Sequence, residues 1–252
     1  LTWGLVGLIV LLLVAPILIV IPVSFSSGQY LQFPPPGWSL EWYRSFFDDP
    51  SWVAAVWTSV RVAATTTVVS TVLGTLAAMA LVRWAGRGRS LANTLLMTPL
   101  IVPVIIFAAG AYAMYLQVGL VGSVFGLVLG HTVLALPFVV VNVAAPLRTL
   151  DRNLELAAQS LGASPAQTLR TVTLPLIAPG VLAGALFAFI TSFDEVVLAL
   201  FVTTPQTQTL PVKMWSSIQL DLDPTIAAAS SLMIVSSTLV LALAGVLTRR
   251  AR

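Results

Sequence analysis

Two adjacent carboxylates, Asp194 and Glu195, are the side chains in this sequence best suited to act on a charged solute. They lie in the apolar segment Pro179–Val202, about 14 residues from its start, which is roughly 20 Å along a helix axis. Because a carboxylate facing lipid at that depth costs roughly 2.5–3.5 kcal/mol, we expect the pair to face a cavity, a cation or a protein group. Two interpretations stay open: one carboxylate contacts a cationic amine during its passage, or the pair binds a basic group or caps a helix break near Ser192.

Three further side chains could contribute to such a path. His131 is the single histidine and the sequence contains no cysteine, which excludes a metal site built from several histidines or thiolates. We expect His131 to form an internal hydrogen bond, with lining of the path as the alternative. Tyr112 and Tyr115 could offer aromatic faces to an ammonium group, but tyrosine near the outer end of a span commonly anchors the helix at the membrane interface.

A membrane-embedded hydrolase is a different interpretation of the same residues. Such an enzyme requires a nucleophile with a base, or a metal site, and one histidine with two adjacent carboxylates supplies neither set in full. The sequence therefore gives little support to an enzyme of this class, and we expect no metal site.

The elements that carry these residues are predicted to be membrane helices. Of 252 residues, 58% are hydrophobic and 8% charged, whereas a soluble domain carries roughly 25% charged residues. Several apolar stretches reach the roughly 20 residues that a helix needs to cross the hydrocarbon core. The sequence predicts an all-α polytopic membrane protein, one domain over residues 1–252, with six spans. They are Trp3–Pro22, Ser59–Val82, Ala92–Leu116, Val124–Val143, Pro179–Val202 and Ile226–Leu247. We interpret the first as a membrane helix rather than a signal peptide, because it is long and has no charged start.

The charged residues sort the loops into two sides. Nine of the twelve basic residues fall on one side, which the positive-inside rule assigns to the cytoplasm; they are Arg83, Arg87, Arg89, Arg148, Arg152, Arg170, Arg249, Arg250 and Arg252. The acidic residues of the other side include Asp48, Asp49, Asp221 and Asp223. Both termini and the polar segment 150–175 are thus predicted to be cytoplasmic. Residues 24–58 are predicted to form an extracytoplasmic loop, with a short interfacial helix over Leu40–Phe47 capped by Ser39. Because the arginines have this topological use, the net charge of +3 does not indicate a nucleic-acid partner.

The polar segment 150–175 interrupts the apolar sequence and predicts two short helices. Asp151 is a suitable N-cap for the first, which ends at Gly162, a residue that can adopt the left-handed conformation. Ser164 and Pro165 then start the second helix as its cap and its first residue. Apolar residues at i, i+3, i+4 and i+7 give the first helix one shallow apolar face; they are Leu154, Ala157, Ala158 and Leu161. The segment is therefore either a docking surface or an ordinary connecting loop.

The spacing within this segment resembles that of a known family. Cytoplasmic loops of permease subunits in ATP-binding-cassette (ABC) importers carry the pattern E-A-A-x3-G-x9-I-x-L-P. The matching residues here are Ala157, Ala158, Gly162, Leu174 and Pro175. Val172 replaces the isoleucine conservatively, whereas Leu156 occupies the position of the glutamate. Glu155 is adjacent but about 100° away around the helix, so it does not simply take over the contacts of the missing carboxylate.

Two more segments extend the resemblance over most of the chain. Phe33–Tyr43 and Ser192–Trp215 are similar to the spermidine/putrescine branch of these permeases, specifically to its C-type subunit. The resemblance implies transport of a polyamine or a related small organic amine. Because the branch also contains permeases for amino-acid derivatives and phosphonates, those substrates are the alternative.

The resemblance implies a type I ABC importer permease fold in the bacterial inner membrane, with segment 150–175 as the cytoplasmic coupling helix loop. It implies a second, non-identical permease subunit, two ATPase subunits that use ATP and Mg²⁺, and an extracytoplasmic substrate-binding protein, besides membrane lipid. It also implies that this chain is non-catalytic and binds no cofactor itself. The sequence has no GxxxxGK[ST] loop, in agreement with hydrolysis on another chain. The residues that the resemblance places at the ATPase are Glu155, Leu156, Ala157, Ala158, Leu161, Gly162, Ala163 and Ser164. A channel or a secondary transporter is the alternative class, and it has no obvious use for the cytoplasmic helix pair.

Overall fold

The computed structural model describes residues 2–84, 86–220 and 224–250. Within these ranges the chain forms twelve α-helices and one π-helical turn, Leu169–Thr173, between the eighth and the ninth. The helices are α1 Thr2–Ser24, α2 Glu41–Asp48, α3 Pro50–Arg83, α4 Arg89–Ile101, α5 Val104–Val118, α6 Val124–Thr149, α7 Arg152–Ser160, α8 Pro165–Thr168, α9 Leu174–Phe193, α10 Val197–Val202, α11 Leu210–Leu220 and α12 Thr225–Arg250. Three residues used in the charge sorting, Asp221, Asp223 and Arg252, lie outside the described residues.

The described helices confirm the predicted membrane class. Five are long and apolar enough to cross a membrane: α1, α3, α6, the continuous segment Pro165–Phe193, and the part of α12 from Thr225 to Ala242. The bent pair of α4 and α5 makes a sixth span if it is counted as one. The chain is therefore a multi-pass helical membrane protein.

Two predicted spans differ from the structure in a way that matters for function. The third is bent by 103° between α4 and α5, because Val102 is extended (φ −72°, ψ 128°) before Pro103, which disfavours a helical conformation at the preceding residue. The fifth does not run from Pro179 to Val202. Its helix starts much earlier, continues from α8 through the π-helical turn, and ends at Phe193, with α10 as a separate element.

The helices group into two compact units, residues 1–57 with 208–240 and residues 58–207 with 241–252. In the first unit, Phe46 and Trp52 pack with Leu210, Ile226 and Ala229 in a buried cluster. A tryptophan in a loop between spans is expected in an exposed aromatic belt at the membrane surface, but Trp52 is only 3% exposed, since it lies in the first turn of α3 against Phe46.

The predicted loop 24–58 contains ordered helix in this unit. The interfacial helix expected at Leu40–Phe47 is α2. Its N-cap is Leu40 rather than the predicted Ser39, although Ser39 Oγ accepts the N–H of Glu41 (3.0 Å). The Tyr43 hydroxyl of α2 lies 2.7 Å from both Ser24 Oγ of α1 and Ser231 Oγ of α12. Three helices thus share one hydrogen-bonded junction.

The stretch Thr203–Pro224 was also expected to be a loop, yet it contains α11. Pro211 is the second residue of α11. Proline is well tolerated in a first turn, because the N–H that it lacks has no partner there.

In the second unit, α6 is the central helix and packs against α9 and α4. Its buried face includes Val139 and Val143, which lie in one cluster with Ile177 of α9. Small residues permit the close approach of α9: a Cβ on Gly180 would lie 2.6 Å from the carbonyl oxygen of Asn142. This packing positions two polar features of the second unit, which are α7 with the turn after it and the break between α9 and α10.

Candidate functional site

The first polar feature is α7 with the turn that follows it. The residues predicted to cap and to end these helices do so in the structure. Asp151 accepts the N–H of Asn153 (2.9 Å), as predicted for an N-cap. Gly162 has a φ of +90°, in the left-handed region. Ser164 and Gln167 form a reciprocal capping box at the start of α8. The two helices joined at Gly162 are therefore confirmed, although the second continues into α9 instead of ending near Pro175.

The apolar face of α7 points away from the packed interior of its unit. Leu161 is 90% exposed, and Leu154 and Leu156 are 48% and 56% exposed. We call the exposed apolar residues of α7, with the exposed residues of the turn that follows it, the docking surface; they are Leu154, Leu156, Ala157, Leu161, Gly162 and Ser164, flanked by the half-buried Ala158 and Ala163. Contiguous exposed apolar side chains on an otherwise polar segment are typical of an interaction site.

Glu155 differs from the other residues predicted to contact an ATPase. Its side chain is buried, and its carboxylate accepts hydrogen bonds from the guanidinium of Arg83 and the hydroxyl of Thr173. Arg83 is the last residue of α3 and Thr173 the last of the π-helical turn. We call these three residues the Glu155 cluster. It joins α7 to the ends of two membrane helices, so this carboxylate faces the chain's own interior rather than the docking surface.

Sequence reasoning did not identify Arg83 or Thr173 as partners of Glu155. A carboxylate between apolar residues on a short helix does signal a need for a basic group, because an unpaired buried charge is strongly destabilising. The sequence offers nine arginines on that side, however, and nothing in their spacing selects Arg83.

The second polar feature lies where α9 ends and α10 begins. Glu195 accepts the backbone N–H groups of Leu198 (2.8 Å) and Ala199 (2.9 Å), so it caps the first turn of α10. This geometry agrees with one of the predicted alternatives, in which a carboxylate caps a helix break near Ser192.

His131 of α6 completes this site. It is fully buried, its Nδ1 lies 2.8 Å from Ser192 Oγ, and its Nε2 lies 3.6 Å from a carboxylate oxygen of Glu195. The predicted internal hydrogen bond of His131 is confirmed. We call His131, Ser192 and Glu195 the His131 cluster; it ties α6 to the break between α9 and α10.

The other path candidates lie in different surroundings. Asp194 is exposed. Tyr115 is buried, and its hydroxyl donates to the carbonyl oxygen of Gly126 (3.0 Å), so this hydroxyl joins α5 to α6 and is not an interfacial anchor. Tyr112 is 36% exposed and meets Phe201 edge-on.

A cavity of about 430 Å³ adjoins the bend between α4 and α5. Glu195 and Thr191 line it from the α9 side, and Leu134 and Phe138 from α6. The expectation that the mid-membrane carboxylates face a cavity or a protein group is met at Glu195, which does both.

Replacing Glu195 by alanine is expected to lower the free energy of unfolding by about 1–3 kcal/mol, because the backbone N–H groups of two buried residues, Leu198 and Ala199, lose their acceptor. Asp194→Ala is the matched control, with an expected change within about 0.5 kcal/mol, since that side chain is exposed. Apparent melting temperatures of the purified variants in detergent would measure both. An equal or larger effect of Asp194→Ala would contradict the capping role of Glu195.

Comparisons with known proteins agree with this geometry. A family model described as "Binding-protein-dependent transport system inner membrane component" matches residues 70–252. The spermidine/putrescine transport system permease protein PotC of Haemophilus influenzae is 32% identical over 236 residues, covering 93% of this chain and 91% of that protein. The putrescine transport system permease protein PotI of Escherichia coli strain K12 is 33% identical over 231 residues, covering 88% of this chain and 81% of that protein.

A solved structure shares the fold over nearly the whole chain. The crystal structure of a bacterial ABC transporter involved in the import of the acidic polysaccharide alginate aligns with a TM-score of 0.78, covering 98% of this chain and 94% of the other, at 17% sequence identity. At that identity the likeness bears on the fold alone.

Proposed function

Because the chain belongs to the family of binding-protein-dependent transport system inner membrane components, we propose that it forms half of the translocation path of an ATP-driven importer for a polyamine or a related small amine. The observation that carries the substrate class is the identity of 32% and 33% to two permeases whose names specify spermidine or putrescine, over nearly the full length of the chain. Two carboxylates at the mid-membrane helix break agree with a cationic solute and disfavour a phosphonate, which would be repelled.

The docking surface is proposed to face the cytoplasm and to bind one ATPase subunit, which uses ATP and Mg²⁺. The concentration of nine arginines on that side supports this orientation, with both termini cytoplasmic. A second, non-identical permease subunit would form the other half of the path and bind a second ATPase subunit. This chain itself would neither hydrolyse ATP nor bind a cofactor.

The opposite side is proposed to receive the substrate-binding protein. A cleft of about 640 Å³ lies there in the first unit, lined by Phe25, Trp38, Leu40, Glu41 and Arg44 among others. Trp38 is 72% exposed, and exposed tryptophan and arginine side chains are enriched at protein interfaces. The loop 24–58 therefore offers a surface for docking.

Coupling is proposed to run through the Glu155 cluster. The segment Pro165–Phe193 is continuous, 29 residues long, and reaches from the turn beside the docking surface to Ser192 of the His131 cluster. A displacement of α7 by the ATPase would pull on Arg83 at the end of α3 and on Thr173 at the base of α9. Because π-helical turns are common at functional sites, the turn at Leu169–Thr173 is a suitable joint for this movement.

Of the two carboxylates, Asp194 is the proposed contact for a passing amine, because it is exposed, whereas Glu195 holds α10 and has a gating role. Tyr112, with part of its ring exposed, is proposed to line the same path. Tyr115 would contribute only by positioning α5. If Asp194→Asn leaves uptake and its dependence on substrate charge unchanged, the contact proposed for Asp194 fails.

ATP hydrolysis by the assembled importer tests the substrate class. The transporter would be purified with its binding protein, and hydrolysis measured with putrescine, spermidine, an amino-acid derivative and a phosphonate added in turn. We expect stimulation by the polyamines alone. Stimulation by the phosphonate, or by none of the four, would contradict the proposed substrate.

A further inference from the structure

The second unit contains another cavity, and its lining residues are distant in sequence from Asp194 and Glu195. It has a volume of about 560 Å³ and lies at the end of α3, the start of α4 and the end of α6. Its polar lining residues Arg89, Ser90, Asn93 and Arg148 lie towards the start of α4 and the end of α6, whereas the apolar Met97 and Val141 lie further along the same two helices. The cavity is thus amphipathic in its lining.

The two arginines give this cavity its charge. Among the residues that the structure describes, the ion pairs within 4 Å involve only Arg83 and His131 as bases, so neither Arg89 nor Arg148 has an acidic partner. Arg89 is also the first residue of α4, whose free backbone N–H groups and dipole favour an anion. Guanidinium groups bind phosphate through paired hydrogen bonds. A cationic amine would be repelled here, which separates this cavity from the proposed substrate path.

We propose that this cavity binds the phosphate headgroup of an anionic phospholipid, with the acyl chains along Met97 and the 52% exposed Val141. Three observations select a lipid as the occupant. The cavity lies at the ends of membrane helices, on the side that concentrates arginine; its volume suits a headgroup with the first methylene groups; and its lining includes apolar residues further along α4 and α6. Basic pockets between membrane helices are known to bind such headgroups. The inference depends on the membrane placement of the chain and not on which solute it transports.

Native mass spectrometry of the assembled importer, titrated with phosphatidylglycerol in detergent, tests this site. We expect Arg89→Gln and Arg148→Gln each to weaken retention of the lipid about five-fold, and the double variant about 25-fold. Arg87→Gln is the matched control, because Arg87 is an exposed arginine of the adjacent turn that does not line the cavity. Its lipid retention should equal that of the unmodified protein. ATP hydrolysis by every variant would show that the complex remains assembled.

Competition identifies the source of the phosphate. Phosphatidylcholine and glycerol 3-phosphate should each displace phosphatidylglycerol poorly, the first because its headgroup has no net negative charge and the second because it has no acyl chains. The proposal is overturned if the double variant retains phosphatidylglycerol like the unmodified protein, or if phosphatidylcholine competes equally. It is also overturned if glycerol 3-phosphate competes equally, which would indicate a soluble anion, or if the assembled complex retains no lipid, which would indicate a partner subunit over the cavity. Each of these outcomes is independent of polyamine transport.

Discussion

Glu155→Gln is expected to lower the number of solute molecules imported per ATP hydrolysed about ten-fold, with hydrolysis itself retained. The substitution removes the charge that holds Arg83 and Thr173, so α7 can move without moving α3 and α9. Coupling free energies between sites are typically about 1–3 kcal/mol, a range that includes the free energy of a ten-fold change in the ratio of uptake to hydrolysis. Because the Arg83 side chain is 43% exposed, water replaces part of the lost interaction and the fold should persist. Parallel uptake and hydrolysis measurements in proteoliposomes provide the ratio.

Two variants distinguish coupling from general destabilisation in this experiment. Glu155→Asp keeps the charge on a shorter side chain and should restore part of the ratio. Arg83→Glu combined with Glu155→Arg reverses the ion pair and should couple better than either single substitution. An unchanged ratio of uptake to hydrolysis in Glu155→Gln would show that the Glu155 cluster does not transmit the movement.

Leu161→Asp is expected to weaken binding of the ATPase at least about 100-fold. Leu161 is the most exposed leucine of the docking surface, at 90%, so its replacement removes no internal packing. In the complex the new carboxylate would be buried against an apolar surface without a partner, which costs several kcal/mol, and about 2.7 kcal/mol already corresponds to 100-fold. Affinity of the purified permease pair for the ATPase, measured in detergent, would give the change.

Asn153→Asp is the matched control for this variant. It adds the same charge to an exposed position of α7, outside the apolar face. Its ATPase affinity should remain within about three-fold of the unmodified protein. If Leu161→Asp binds the ATPase as well as Asn153→Asp does, the docking surface is not where the ATPase binds.

Local signals in the sequence predicted the docking surface well. Asp151, Gly162 and Ser164 act on backbone groups within three residues of themselves, so their residue types alone specify the two helix ends. Elements defined by caps and turns can be read from a single sequence for this reason.

Features that depend on distant residues could not be predicted in this way. The inward orientation of Glu155 depends on Arg83, 72 positions away, and the His131 cluster joins residues 61 positions apart. The bend between α4 and α5 was also missed, because it lies inside an apolar stretch that was predicted as one span, whereas a break near Ser192 was one of the stated alternatives.

ATP-dependent uptake by reconstituted vesicles is the most direct test of the proposed function. Proteoliposomes would contain this chain, its second permease subunit and the ATPase, with the binding protein and labelled putrescine outside. We expect putrescine to accumulate only when ATP is enclosed and all four components are present, and accumulation to cease when any one is omitted. Uptake by this chain alone, without ATP or the binding protein, would contradict its assignment as an importer subunit and would indicate a channel or a secondary transporter.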